Sequence, residues 1–158
     1  MIKAARMVVT RQFASAGLFA VLAILALTFA MTTSSYPTVL YGPTTLAASV
    51  LSPRSLLFTI TSASAFSALI YWVLARSCSS SLNRFLIRVH FVLLATALLM
   101  ATEAARSWAS ALSYASQTGS TTYVVWHFPV VQVGFVVVAL GCVILLVNLG
   151  ITTIKRFR

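Results

Sequence analysis

The cations of this chain lie almost entirely at the ends of long apolar runs. Between Arg11 and Arg54 there is no charged residue, and the last run, Val130 to Val147, contains none either. A bilayer core about 30 Å thick is crossed by roughly 20 helical residues, because each helical residue advances about 1.5 Å. A segment of that length and polarity has one favourable solvent, the interior of a lipid membrane. Composition agrees: 60% of the 158 residues are hydrophobic and only 8% are charged, against about 25% charged in a soluble domain. Water cannot be the medium around most of this surface. The chain is long enough for one domain, 1–158.

Four runs satisfy the length requirement, and the sequence predicts helices over 13–33, 53–76, 84–115 and 124–154. The first is too long for a signal-peptide core and is followed by no clean small-residue cleavage site, so it reads as a retained helix. The connector over 34–52 carries Pro37, Gly42 and Pro43 with Tyr36 and Tyr41, a composition expected at the membrane interface. Ser52-Pro53 reads as an N-cap followed by proline at the first helical position. Tyr71 and Trp72 followed by Arg76 make an aromatic-pair-plus-cation interface anchor at the other end of that helix. The third helix is less obvious, since only 14 uncharged residues separate Arg88 from Glu103. It spans if Arg88 extends its side chain to one face and Glu103 lies toward the other. Residues 116–122 read as a polar loop.

Counting cations sets the orientation. Lys3, Arg6, Arg11, Arg76, Arg84, Arg88, Lys155, Arg156 and Arg158 fall on one side of the four helices, and only Arg54 and Arg106 on the other. Positive-inside statistics then place both termini and the middle loop on the cytoplasmic or matrix side. The expected fold is an all-α integral membrane protein, an antiparallel up-down bundle of four transmembrane helices.

Lipid supplies no hydrophobic drive between helices, so small residues that let backbones approach are the expected seams. Ala16 and Ala20 belong to such a stripe on the first helix, Ser64 and Ala68 to one on the second. Gly134, Gly141 and Asn148 recur at intervals of seven on the fourth, which keeps them on one face. The favoured reading is packing within the chain; the alternative is a seam for a partner chain.

Candidate chemistry is sparse. Glu103 is the sole acid and is expected at or near membrane depth, where an unpaired carboxylate is costly. A structural ion pair with Arg106, one turn along, or with Arg54 is the favoured reading, and a proton or cation site the alternative. His90 and His127 should lie near opposite faces, which argues against a haem held by both within one chain. Each is expected to be an interface residue bonded to lipid or backbone. There is no metal-ligand cluster, nucleophile elbow, P-loop or dinucleotide fingerprint, so no catalytic residue, no metal and no organic cofactor is assigned. The net charge of +10 is arranged for lipid phosphates rather than for nucleic acid. Arg76, Arg84, Arg88, Lys155 and Arg156 are the expected contacts for an anionic phospholipid such as cardiolipin.

The acid-poor N-terminal segment with Arg11-Gln12-Phe13-Ala14-Ser15 is similar to a mitochondrial processing-site pattern. Together these features favour a non-catalytic accessory subunit of a larger complex of the mitochondrial inner membrane, of respiratory-chain or ATP-synthase type, with other membrane subunits and the bilayer as partners. A second expectation is a self-associating, membrane-organising protein of the plasma or endomembranes. Its four-helix layout is similar to that of claudin-like and MARVEL-like proteins, although the Trp and paired-Cys motif of claudin first loops is absent. A third is a small proton or cation transporter or channel using Glu103.

Overall fold

The computed structural model describes residues 2–33, 52–77, 82–118 and 128–157, all of them helical apart from short flanks. There are four helices among them and no strand: α1 (Ile2–Thr32), α2 (Pro53–Ser77), α3 (Arg84–Thr118) and α4 (Phe128–Phe157). Each contains a stretch long and apolar enough to cross a membrane: Phe13–Thr32, Pro53–Arg76, Arg84–Ser110 and Pro129–Ile154. The protein is an integral, multi-pass membrane protein by that criterion. The expected interfacial connector over 34–51, Cys78 of the middle loop, and residues 124–127 with His127 lie outside the described residues.

Helix boundaries differ from the hydropathy reading in an instructive way. The first helix begins at Ile2 rather than at residue 13, the third continues to Thr118, and the fourth to Phe157. Hydropathy marks where a helix meets hydrocarbon, whereas the backbone stays helical wherever good helix formers continue. Ala4, Ala5, Arg6 and Met7 are such residues. The second helix begins as its sequence demands. Ser52 Oγ accepts a hydrogen bond from the Ser55 backbone N–H at 3.1 Å, and Pro53, which has no N–H to satisfy, opens the first turn.

Each helix buries one narrow stripe. On α4 the buried positions are Val131, Gly134, Val138, Gly141, Leu145, Asn148 and Thr152; on α3 they include His90, Leu94, Ala97, Ala101, Ala104 and Trp108. Alternating steps of three and four give the 3.5-residue period of helices that pack lengthwise. On α1 the stripe is Ala16, Phe19, Ala23, Ala26 and Ala30. Its alanines allow α1 to lie close against α2, its principal neighbour, while α3 packs chiefly on α4.

The rest of the surface is apolar as well. Only 28–33% of the most hydrophobic window of each span is buried within the chain. Leu18, Val21, Ile24, Val133, Val136, Leu140 and Val143 all face outward. Exposed apolar area on this scale is tolerable only against lipid or another apolar helix. Hydroxyls on these spans fall back on their own helix. Thr28, Thr59, Thr61, Ser62 and Ser67 each donate to the carbonyl four residues earlier, at 2.7–2.9 Å, which hides the polar atom from hydrocarbon.

Candidate functional site: a buried polar chain at the cationic end

The bundle is not dry throughout. Ser64, Ser67, His90 and Asn148 are fully or almost fully buried, as is Tyr71, which turns inward to His90 and leaves the interface anchor to Trp72 and Arg76. Helix periodicity explains the grouping on α2, where Ser64, Ser67 and Tyr71 follow at steps of three and four and therefore share its inward face. His90 occupies the first inward position of α3. It faces Tyr71 and Ser67 of α2.

His90 is the hub. Its Nδ1 lies 3.1 Å from the Tyr71 hydroxyl and its Nε2 lies 3.4 Å from Ser67 Oγ. One proton assignment uses every group once. Ser67 gives its hydroxyl proton to the Ala63 carbonyl at 2.7 Å, so toward His90 it can only accept, and Nε2 must carry the ring proton. Nδ1 is then the acceptor for the Tyr71 O–H. The Tyr71 oxygen in turn neighbours the Asn148 side-chain amide as a hydrogen-bond partner. Asn148 also grips the start of α3 from both sides of one residue: its Oδ1 accepts the Asn83 backbone N–H at 3.0 Å and its Nδ2 donates to the Asn83 carbonyl at 3.4 Å. Asn83 Oδ1 caps α3 by accepting from the Phe85 N–H at 3.0 Å. The chain of donors thus runs from Asn148 through Tyr71, His90 and Ser67 to a backbone carbonyl, where it stops.

Aromatic rings enclose this chain. Phe19 of α1 lies 4.7 Å from the His90 ring and 5.1 Å from that of Tyr71, centroid to centroid, and Phe91 meets Phe19 edge-on at 5.5 Å. On the α4 side Gly141 presents bare backbone. A Cβ built there would sit 3.4 Å from both His90 Cδ2 and Leu94 Cδ2, so α4 closes on the imidazole at this position with little room to spare. His90 therefore touches or is bonded toward all four helices. It was expected to be an interface residue bonded to lipid or backbone, and that expectation is corrected: the residue is wholly buried and its partners are side chains. A signal existed in the sequence. His90 lies four residues before Leu94 on the stripe that continues through Ala97 and Ala101, and a polar residue on an inward stripe seeks an inward partner.

The other sequence candidates fall elsewhere. Glu103 Oε1 is 3.4 Å from Arg106 Nη1, and the two side chains are 63% and 80% exposed. Glu103 is thus on the outer surface of α3, not in the bundle interior, and a helix-surface pair of this kind contributes about 0.3–0.5 kcal/mol. The Arg54 guanidinium lies 5.7 Å from the centroid of the Phe58 ring. Arg76 stacks over Trp72 at 4.5 Å. Arg76, Arg84 and Arg88 are exposed and flank the same end of the bundle as the polar chain. Lys155 and Arg156 fall in the last turns of α4, and their side chains lie outside the described residues. Ala16, Ser64, Gly134, Gly141 and Asn148 are buried inside the chain, with Ala20 and Ala68 half-buried. Gly134 meets Leu56 of α2, closely enough that any added carbon would displace it. Among the described residues no group of His, Cys, Asp or Glu could hold a metal ion.

What this arrangement can do chemically is limited and definite. The Ser67 hydroxyl beside His90 gives its proton to the Ala63 carbonyl, and the proton chain ends there. The physical effect of the arrangement is to fix helix register, since slippage of any helix by one turn would leave buried donors and acceptors unpaired. No family model matches the chain, and neither a curated protein nor a solved structure matches it.

Proposed function

We propose that this protein is a non-catalytic subunit of a larger membrane assembly, an up-down four-helix bundle whose two tails share the cationic side. The observation that carries this reading is the division of labour between inside and outside. The interior polar groups are spent on holding α2, α3 and α4 in register, while the outer faces of all four helices are left apolar, as lipid- and helix-facing surfaces should be. The up-down arrangement is supported by four registers. Asn83 meets Asn148, His90 meets Gly141, Tyr71 meets His90 and Leu56 meets Gly134, an order in which α3 runs against α4 and α2 runs with it. Exposed Arg76, Arg84 and Arg88 support binding of anionic phospholipid at that rim, at about 1 kcal/mol per cation. The mitochondrial inner membrane is favoured by the acid-poor composition and by the Arg11-Gln12-Phe13-Ala14-Ser15 pattern. A transporter built on Glu103 is disfavoured by the exposed position of that carboxylate beside Arg106.

The test is purification from native membranes in mild detergent with quantitative mass spectrometry of what accompanies the protein. The expected result is one or more foreign membrane subunits at fixed stoichiometry. Recovery of homo-oligomers or monomers alone, under conditions that keep other inner-membrane complexes whole, would overturn the reading.

A further inference from the structure

The outward side of α3 carries a second stripe, opposite the buried one and with the same period. Val92, Thr96, Leu99, Glu103 and Arg106 follow at steps of four and three, the 3.5-residue recurrence by which two parallel helices meet lengthwise. All five are exposed. Three of them are ill suited to hydrocarbon. Thr96 stands in the middle of the span Arg84–Ser110. The other threonines with described side chains return the hydroxyl proton to a carbonyl three or four residues earlier. Thr96 makes no such bond among the described residues. Glu103 follows seven residues later, roughly 10 Å from mid-span at 1.5 Å per residue and so within a hydrocarbon half-thickness of about 15 Å. Its side chain is 63% exposed and that of its neighbour Arg106 80%. Ionisable groups at such depth face protein or water rather than lipid.

The pattern is self-complementary. Copies of one chain insert with the same orientation, because the same cations set it in each. A two-fold axis between them then lies along the membrane normal, and equal heights meet. Thr96 meets Thr96 of the second copy, and each hydroxyl can donate or accept. Glu103 of each copy comes beside Arg106 of the other, so one acid and one base per chain make two pairs across the axis. Lipid tails offer neither partner. The outward sides of α1 and α4, with Leu18, Val21, Val136 and Leu140, show no such matching. Arg84 and Arg88 flank the cationic end of the stripe, where lipid phosphates offset the like charges of two copies.

We propose that this stripe is the contact by which two copies of the chain associate in the membrane, as a parallel two-fold pair centred on Thr96. The polar groups supply the specificity, because lipid competes equally for apolar surface. The contact is independent of foreign subunits: it is read on the purified chain, whereas accompanying proteins are read in native membranes, and either can fail without the other.

Single cysteines in a chain with Cys78 and Cys142 changed to serine, reconstituted in phosphatidylcholine vesicles at high lipid excess, test the geometry by oxidative cross-linking. Val92→Cys, Thr96→Cys and Leu99→Cys are expected to give covalent dimers. Val136→Cys and Leu140→Cys, equally exposed on α4, are not. The absence of dimers at all three α3 positions, or equal yields on α3 and α4, would overturn the proposal. Energy transfer between labelled copies then reads the association constant. Thr96→Val should lower it about threefold, the size of one hydrogen bond between membrane helices. Glu103→Arg should lower it about tenfold through like-charge contact, and adding Arg106→Glu should restore it. Association unchanged by Glu103→Arg, or not restored by the exchange, would contradict the paired charges and with them the proposed face.

Discussion

Replacing His90 with alanine should lower the stability of the folded bundle by about 3 kcal/mol, measured as reversible unfolding in bicelles. Two losses add. The imidazole packs against Phe19 at 4.7 Å and faces Gly141 of α4, so its removal opens a cavity between the helices. The second loss is hydrogen bonding. Tyr71 loses its acceptor and Ser67 a donor partner, in an interior where no bulk water can replace them. Because the helices remain in lipid when the bundle comes apart, the transfer contribution seen in soluble cores is small, and each hydrogen bond is worth about 0.6 kcal/mol on average. The cavity accounts for most of the effect. His90→Phe keeps the ring volume and the contact with Phe19 but not the bonds, and should therefore lose only about 1 kcal/mol. A larger loss for phenylalanine than for alanine would show that polar matching, not volume, dominates this core.

The second large effect is expected at the crossing of α2 and α4. Gly134 faces the fully buried Leu56, and a carbon added at Gly134 runs into the end of that side chain. Gly134→Leu forces the two helices apart along the whole stripe that continues to Gly141 and Asn148, and a loss of about 3 kcal/mol or failure to fold is expected. Gly150 provides the control on the same helix. Nothing lies within 4 Å of a Cβ built there, so Gly150→Leu should be neutral or mildly stabilising, by up to about 0.5 kcal/mol, because leucine is the better helix former. Leu56→Ala should restore much of what Gly134→Leu removes, since the methyls that collide are then gone. Equal effects at Gly134 and Gly150 would contradict the α2–α4 contact.

The contrast between these two sites explains what the sequence could and could not reveal. Spans are legible because hydrocarbon thickness is a fixed ruler: the run from Val130 to Val147 carries no charge and is interrupted only by the polar Gln132, and no fold is needed to see it. Helix ends are less so. The turns over residues 2–12 of α1 are helical for reasons of propensity, not hydropathy, so an apolar window starts them too late. The seven-residue recurrence of Gly134, Gly141 and Asn148 follows from helix geometry and puts them on one face. Which helix that face meets does not follow from spacing. For the same reason the chain through Tyr71, His90 and Ser67 was out of reach: its members lie on two helices, up to 23 residues apart, and the Asn83–Asn148 clasp closes over 65. Glu103 shows the same limit from the other side. Its spacing of three from Arg106 marks the pair that forms, but its exposure follows from its angular position on α3, beside buried Ala104. Linear position gives depth; only the packing face gives surroundings.

All of this requires that the four helices cross a bilayer with both tails and the middle loop on one side. Small epitope tags at the two ends and a single cysteine at residue 80, in a chain otherwise free of cysteine, can be probed in sealed vesicles with an impermeant reagent. The account predicts that all three react together from the same face and are all protected from the other. Reaction of the two tails from opposite faces, or of every site from both faces of an intact vesicle, would contradict it.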